Sequence, residues 1–258
     1  SRVGLIDHSV VAQGEAAIRA RIDQLKAEGV RMAVVDAVSN ADLLRLGPAL
    51  KGMPLVTAGS GVAIGLPGNF GVAPCNEAAR LPAAQGLQAI VSGSCSVATN
   101  QQVMDFIKAG KPALAIDPLR IAAGVDVAAE ALAWAEGHIG QGPVLVYSTA
   151  EPSAVRAIQG KLGSEKAGAM VEETIAAIAR GLVQRGVRQL IVAGGETSGA
   201  CVQALGITQM RIGAQIDPGV PWCHAVAPDA RDGLHITLKS GNFGSTDFFT
   251  KAFAQLQA

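Results

Sequence analysis

Short unbroken runs of apolar residues alternate along this chain with stretches where apolar positions recur at helical spacing. Such runs predict buried strands, and the helical spacing predicts helices with one face on a core. Residues 2–7 read as a strand, and residues 15–28 as a helix with Ile18, Ile22 and Leu25 on one face. Residues 32–36 form the next strand, and Asn40 caps a helix running to Leu50. A third strand is expected at 54–57, before a glycine-rich turn. Further strands are expected at 87–91, 112–116, 143–147 and 189–193, each leading into a helix pattern, with helices at 100–109 and 166–185. Strands that are apolar at consecutive positions are covered on both faces, which predicts a mostly parallel, doubly wound α/β sheet flanked by helices. Near the C-terminus residues 210–216, 222–226 and 235–238 are strand-like with no room for helices between them. They predict a short antiparallel extension, followed by a C-terminal helix. With no repeat, low-complexity tract or linker in view, one compact unit over residues 1–258 is expected.

Composition narrows the partners. The 258 residues carry 21 Lys plus Arg against 21 Asp plus Glu, and no long basic run. A neutral chain of this kind has no general attraction for nucleic acid or an anionic membrane, though a local site can still hold a small anion. The four cysteines, Cys75, Cys95, Cys201 and Cys223, lie far apart with no metal-ligand spacing, so neither a disulfide framework nor a zinc site is expected. No apolar run is long enough to span a bilayer and no signal-peptide pattern opens the chain, so a cytoplasmic protein is expected. Residue 1 is Ser and a strand follows at once, which leads to the expectation of an upstream segment. The antiparallel edge near the C-terminus leads to the expectation of a homodimer.

The chemistry concentrates in strand-to-helix turns rich in Gly, Ser and Thr. In open α/β sheets such turns gather ligands, because glycine exposes backbone N–H groups and a helix N-terminus favours an anion. The sharpest is Ala193-Gly194-Gly195-Glu196-Thr197-Ser198-Gly199, where Gly194 and Gly195 admit a phosphate and Thr197 or Ser198 caps the helix. Glu196 beside an anion makes sense if it holds a ribose hydroxyl or meets the phosphates through Mg²⁺. Its rival reading is a capped turn with no ligand. The second turn, Ser92-Gly93-Ser94-Cys95-Ser96, reads either as a phosphate turn or as a nucleophile elbow with Ser94 or Cys95 at its apex. The third, residues 59–65, is a loosened dinucleotide pattern without the expected acidic partner. The fourth, Leu238-Lys239-Ser240-Gly241-Asn242-Phe243-Gly244, ends a strand; Lys239 there meets a phosphate or lies along the edge with its amine in water. Asp36 and Asp117 end strands and read as turn or capping residues ahead of Mg²⁺ ligands. Trp134 and Trp222 read as core or interface. No P-loop motif occurs.

Six segments in fixed order then carry a resemblance: Gly-Leu-Ile-Asp-His at 4–8, Val-Asp-Ala-Val-Ser at 35–39, Ser-Gly-Ser-Cys-Ser at 92–96, Ala-Gly-Gly-Glu-Thr-Ser-Gly at 193–199, Ile-Asp-Pro-Gly-Val-Pro-Trp at 216–222 and Lys-Ser-Gly-Asn-Phe-Gly at 239–244, with Asp247-Phe248-Phe249 just after. Together they resemble the C-terminal, nucleotide-binding domain of the four-carbon acid sugar kinases, and within that family the 3-oxo-tetronate 4-kinases. The resemblance implies ATP- and Mg²⁺-dependent phosphorylation of the terminal hydroxyl of a small sugar acid. It places ATP contacts at Ser92, Ser94, Gly194, Gly195, Glu196, Thr197, Gly241 and Gly244, with no metal ligand assigned. The family's Asp-Asp-Phe-Thr-Gly-Ala type motif is absent from this sequence. The sugar-acid pocket and the catalytic base are therefore expected outside the chain, which would leave it slow or inactive alone. Two other classes stand beside this one: a non-catalytic nucleotide or phosphate-ligand module, and a thiol or serine hydrolase using the 92–96 turn.

Overall fold

The computed structural model describes residues 2–148 and 164–256. They fall into two units, Ser1–Cys75 and Asn76–Ala258, where the sequence reading expected one. The break comes within a long stretch of turns and irregular chain, residues 50–86.

In the first unit, β1 (Val3–Ile6) and β2 (Met32–Val35) pair in parallel. Helices α1 (His8–Ala12), α2 (Glu15–Ala27) and α3 (Asn40–Ala49) supply the rest of a small core around Ile6, Val11, Ile18, Leu25 and Leu46. Asp7 caps α1 by accepting from the N–H groups of Ser9 and Val10. The cap of α3 is Ser39 rather than Asn40: its hydroxyl and the Asp42 carboxylate satisfy each other's backbone N–H in a capping box. The strand expected at 54–57 does not form; no neighbouring strand pairs with this run, and Leu55 stays exposed. Residues 59–65 therefore follow no strand. They form a 3-10 turn on α3, close enough that a Cβ on Gly47 would lie 1.9 Å from the Gly65 carbonyl oxygen. Val3, Leu5, Met32 and Val34 remain exposed, so double coverage of the sheet fails for β1 and β2.

The second unit is the doubly wound sheet. Its strands are β3 (Leu87–Ser92), β4 (Ala113–Ala115), β5 (Val144–Tyr147), β6 (Val187–Ala193), β7 (Arg211–Asp217), β8 (Val220–Ala227) and β9 (Ala230–Lys239), in the order β4-β5-β3-β6-β9-β8-β7. The first five positions in that order are parallel, and β8 and β7 extend the sheet antiparallel, as the sequence predicts. One face packs on α6 (Val127–Glu136), α7 (Ser164–Gln184) and α8 (Gly195–Ala204), with Ala89, Val91, Leu190 and Val192 pointing into that core. The other face packs on α4 (Val97–Lys108) and α9 (Phe248–Leu256), with Ile90, Ile191 and Trp222 against Phe106, Phe249 and Phe253. Both layers are filled by alternate residues of the same strands, which is why those strands read as continuous apolar runs. The short α5 (Pro118–Ala122) begins at Asp117, whose carboxylate accepts from the Leu119 N–H at 2.8 Å; Asp117 is a capping residue.

Candidate functional site

Strands β3 and β6 are adjacent and parallel, in register from Gln88 with Gln189 to Ser92 with Ala193. The chain leaves β3 for α4 on one face and leaves β6 for α8 on the other. Connections diverging from neighbouring strands open a crevice at their carboxyl ends, the place where doubly wound sheets hold ligands. Strand β9 lies on the other side of β6, with Ala193 opposite Lys239. The turns after β3, β6 and β9 therefore start side by side.

They also touch. The Gly93 N–H donates to the Ala193 carbonyl at 3.0 Å, and the Gly194 N–H donates to the Lys239 carbonyl at 2.9 Å. A Cβ on Gly93 would meet Thr197 Oγ1 at 2.4 Å, and one on Gly194 would meet it at 2.6 Å and the Ser94 nitrogen at 3.3 Å. Gly194 has φ of +129°, in the region that favours glycine. A Cβ on Gly241 would meet Ser94 Oγ at 2.6 Å. Ser94, Gly194, Thr197 and Gly241 thus meet at one point of the sheet edge, and Ser92 is fully buried at the end of β3.

Helix α8 begins earlier than the sequence implies. Its N-cap is Gly194, with no side chain capping it. Thr197 and Ser198 lie inside the first turn instead of capping; the Ser198 hydroxyl turns back to the Gly194 carbonyl at 2.6 Å. The first N–H to close the helix is that of Ser198, onto the Gly194 carbonyl at 2.9 Å. The N–H groups of Gly195, Glu196 and Thr197 are consequently the open, electropositive end of the helix. Glu196 stands beside Glu172 of α7. Burial, together with the hydrogen bond and repulsion from Glu196, raises the Glu172 carboxyl above its ordinary range.

The turn after β9 is fastened from below. Gly241's carbonyl accepts from Ser96 Oγ, from Thr99 Oγ1 at 2.9 Å and from Lys239 Nζ at 3.2 Å. Lys239 corrects both sequence readings of it. Its amine neither reaches water nor projects for a ligand: the residue is fully buried, and Nζ donates to Thr99 Oγ1 at 2.9 Å and to the Ser240 and Gly241 carbonyls. No carboxylate pairs with it among the described residues, and burial pulls its pKa down to about 8. Further along, Gln102 Nε2 reaches the carbonyls of Phe243, Gly244 and Ser245 at 3.0, 3.1 and 3.0 Å. Asp217 holds the Ser245 N–H at 2.8 Å and is itself paired with Lys251. Thr99, Gln102 and Glu172 carry no motif in the sequence; they matter only through residues far along the chain.

The elbow reading of the second turn gains no support. Among the described residues no histidine bonds to Ser94 or Cys95; Cys95 Sγ approaches the Gly93 carbonyl at 3.9 Å and Ser94 Oγ bonds Ser96 Oγ at 3.3 Å. Ser96 is the cap of α4, which starts three residues before the expected position. Asp36 accepts the His8 N–H at 3.2 Å within the first unit.

A doubly wound domain with glycine turns and a bare helix N-terminus at its switch point belongs to the nucleotide-binding α/β class. A family model described as a nucleotide-binding C-terminal domain matches residues 89–249, and one described as a sugar-binding N-terminal domain matches residues 1–66. The chain is 52% identical over 99% of its length to a 3-oxo-tetronate kinase of Cupriavidus necator and 52% identical over 99% to one of Burkholderia multivorans. The crystal structure of Haemophilus influenzae protein HI1011 superposes with a TM-score of 0.72 at 37% identity, covering 99% of this chain and 61% of that one. The chain belongs to the four-carbon acid sugar kinase family. It spans 59% and 60% of the two relatives' lengths. The match at residues 1–66 corrects the expectation that the chain holds only the nucleotide half: the first unit corresponds to sugar-binding sequence. No helix among the described residues is long and apolar enough to cross a membrane.

Proposed function

We propose that the second unit binds ATP at the edge of β3, β6 and β9, and that the protein transfers the terminal phosphoryl group to the 4-hydroxyl of a four-carbon sugar acid of the 3-oxo-tetronate type. The observation that carries this reading is the convergence of three glycine turns on the open N-terminus of α8. The N–H groups of Gly195, Glu196 and Thr197 face phosphate oxygens, and Gly194 lets them approach. Ser92, Ser94, Gly241 and Gly244 line the same edge. The Glu172 and Glu196 carboxyls are hard oxygen donors of the kind Mg²⁺ takes. The ion, when bound, would offset phosphate charge. Phosphoryl transfer needs mainly positioning and charge stabilisation, which this edge supplies for the nucleotide. The base for the sugar hydroxyl is not assigned to a residue of this chain. The exposed edge of β7 is where a second copy would pair, to be read by light scattering.

Titration of the chain with Mg-ADP, followed calorimetrically and by melting temperature, tests the nucleotide reading. We expect saturable binding and an upward shift. No binding at millimolar nucleotide would refute it. Phosphate transfer from ATP to 3-oxo-tetronates, threonate and erythronate then separates a kinase from a nucleotide module without catalysis.

A further inference from the structure

The turn after β9 is held by its oxygens. Gly241's carbonyl takes three donors, two from α4 and the third from Lys239. The carbonyls of Phe243, Gly244 and Ser245 all converge on one amide nitrogen, Nε2 of Gln102. Gln102 is fully buried, and its own Oε1 has no hydrogen-bond partner. Burying an amide with its oxygen unsatisfied is costly, and such exceptions in a native fold call for a reason. Lys239 is a second exception, a buried ammonium with three oxygen acceptors and no counter-charge in contact.

Both exceptions have the same geometric consequence. In a trans peptide the C=O and the next residue's N–H point in opposite directions, and no cis bond occurs among the described residues. With the carbonyls of Gly241, Phe243 and Gly244 turned inward, the N–H groups of Asn242, Gly244 and Ser245 turn outward. The Ser245 N–H already shows what such a group does: it holds an anionic oxygen, Asp217 Oδ2, at 2.8 Å. The N–H groups of Asn242 and Gly244 have no protein acceptor among the described residues. Asn242 directly follows Gly241, which packs against Ser94.

We propose that Gln102 and Lys239 are positioning residues for phosphate: by holding the turn's carbonyls inward they present the N–H groups of Asn242 and Gly244 to a bound nucleotide's phosphate oxygens. This deepens the nucleotide reading and rests on it. The buried charge of Lys239 adds attraction for the anion from beneath the turn, where water does not screen it.

The test uses the whole chain, with ADP and adenosine as probes, in the wild type and in Gln102→Met and Lys239→Met. These substitutions keep the volume and remove the donors. Each variant is expected to bind ADP about tenfold more weakly, the loss of one charge-assisted hydrogen bond, with adenosine affinity changed less than twofold. General damage to the fold would weaken both ligands alike. Unchanged ADP affinity in a folded variant, or an equal loss for both probes, overturns the proposal. If either variant does not fold, amide resonances of the wild type decide: those of Asn242 and Gly244 are expected to move with ADP and not with adenosine. Immobile resonances at saturating ADP overturn it. A wild type that fails to bind ADP at all removes the nucleotide reading itself, which is a different result from binding that ignores Gln102 and Lys239.

Discussion

Lys239 makes the stability of the second unit depend on pH in an unusual direction. An unfolded lysine titrates near 10.5, and burial brings the folded value down to about 8. Between these values the unfolded chain binds more protons than the folded one, so stability rises as the pH rises through that window. The difference of 2.5 units corresponds to a cost of about 3 kcal/mol for keeping the ammonium buried below pH 8. Going from pH 7 to pH 10 relieves about 2.5 kcal/mol of it. The perturbation is Lys239→Met, which removes the titration. Urea unfolding of wild type and variant is followed by tryptophan fluorescence. Both tryptophans, Trp134 and Trp222, lie in the second unit, so the signal reports on that unit. Other titrating groups cancel in the difference between the two proteins. We expect the wild type to gain about 2.5 kcal/mol on the variant between pH 7 and pH 10. A difference that changes by less than about 0.5 kcal/mol would show that water reaches Nζ in solution, and the buried-charge account of this turn would be wrong.

Gly194→Ala places a Cβ 2.6 Å from Thr197 Oγ1 at a φ of +129°; we expect a loss of about 2 kcal/mol in urea unfolding together with loss of ADP binding by calorimetry. At Asp217 burial acts to raise the carboxyl, but hydrogen bonds from Lys251 and Ser245 outweigh it and leave the pKa below the ordinary 3.8. Its stabilising contribution is therefore present above that value and lost as the pH falls through the folded pKa, so the advantage of wild type over Asp217→Asn should hold from pH 8 to 5 and shrink below about pH 4. Cys75 is exposed, whereas burial drives the Cys201 thiol up to about 12 and raises Cys223 as well. A disulfide reagent at pH 8 should label Cys75 at once and reach Cys201 and Cys223 only after unfolding, as peptide mass mapping would show.

Much of this architecture is legible in the residues. Strands β3, β4, β5 and β6 are expected from runs that are apolar on both faces, and each forms within a few residues of its predicted place. Apolar runs fail as a guide where nothing pairs with them: residues 54–57 read like a strand but find no partner, and Leu55 is exposed. The glycine turns at 92–96, 193–199 and 239–244 stand out in the sequence because their chemistry is local. What fastens the last of them is not local. Gln102 lies 141 residues from Phe243 and Thr99 lies 140 residues from Lys239, so no spacing rule connects them. Thr197 or Ser198 is expected to cap α8, yet Gly194 caps it, because an N-cap needs non-helical backbone and Gly194 supplies it at positive φ.

The bond from Ser96 to the carbonyl of Gly241 closes a span of 145 residues. Contacts so distant in the chain form late, after loop-closure entropy has been overcome by the pairing of the intervening strands. During synthesis the ribosome delivers β3 and β6 long before the segment after β9. A chain halted short of residue 230 would carry β3, β4, β5 and β6 with the edge of β6 exposed, and would lack the turn after β9 that meets those following β3 and β6.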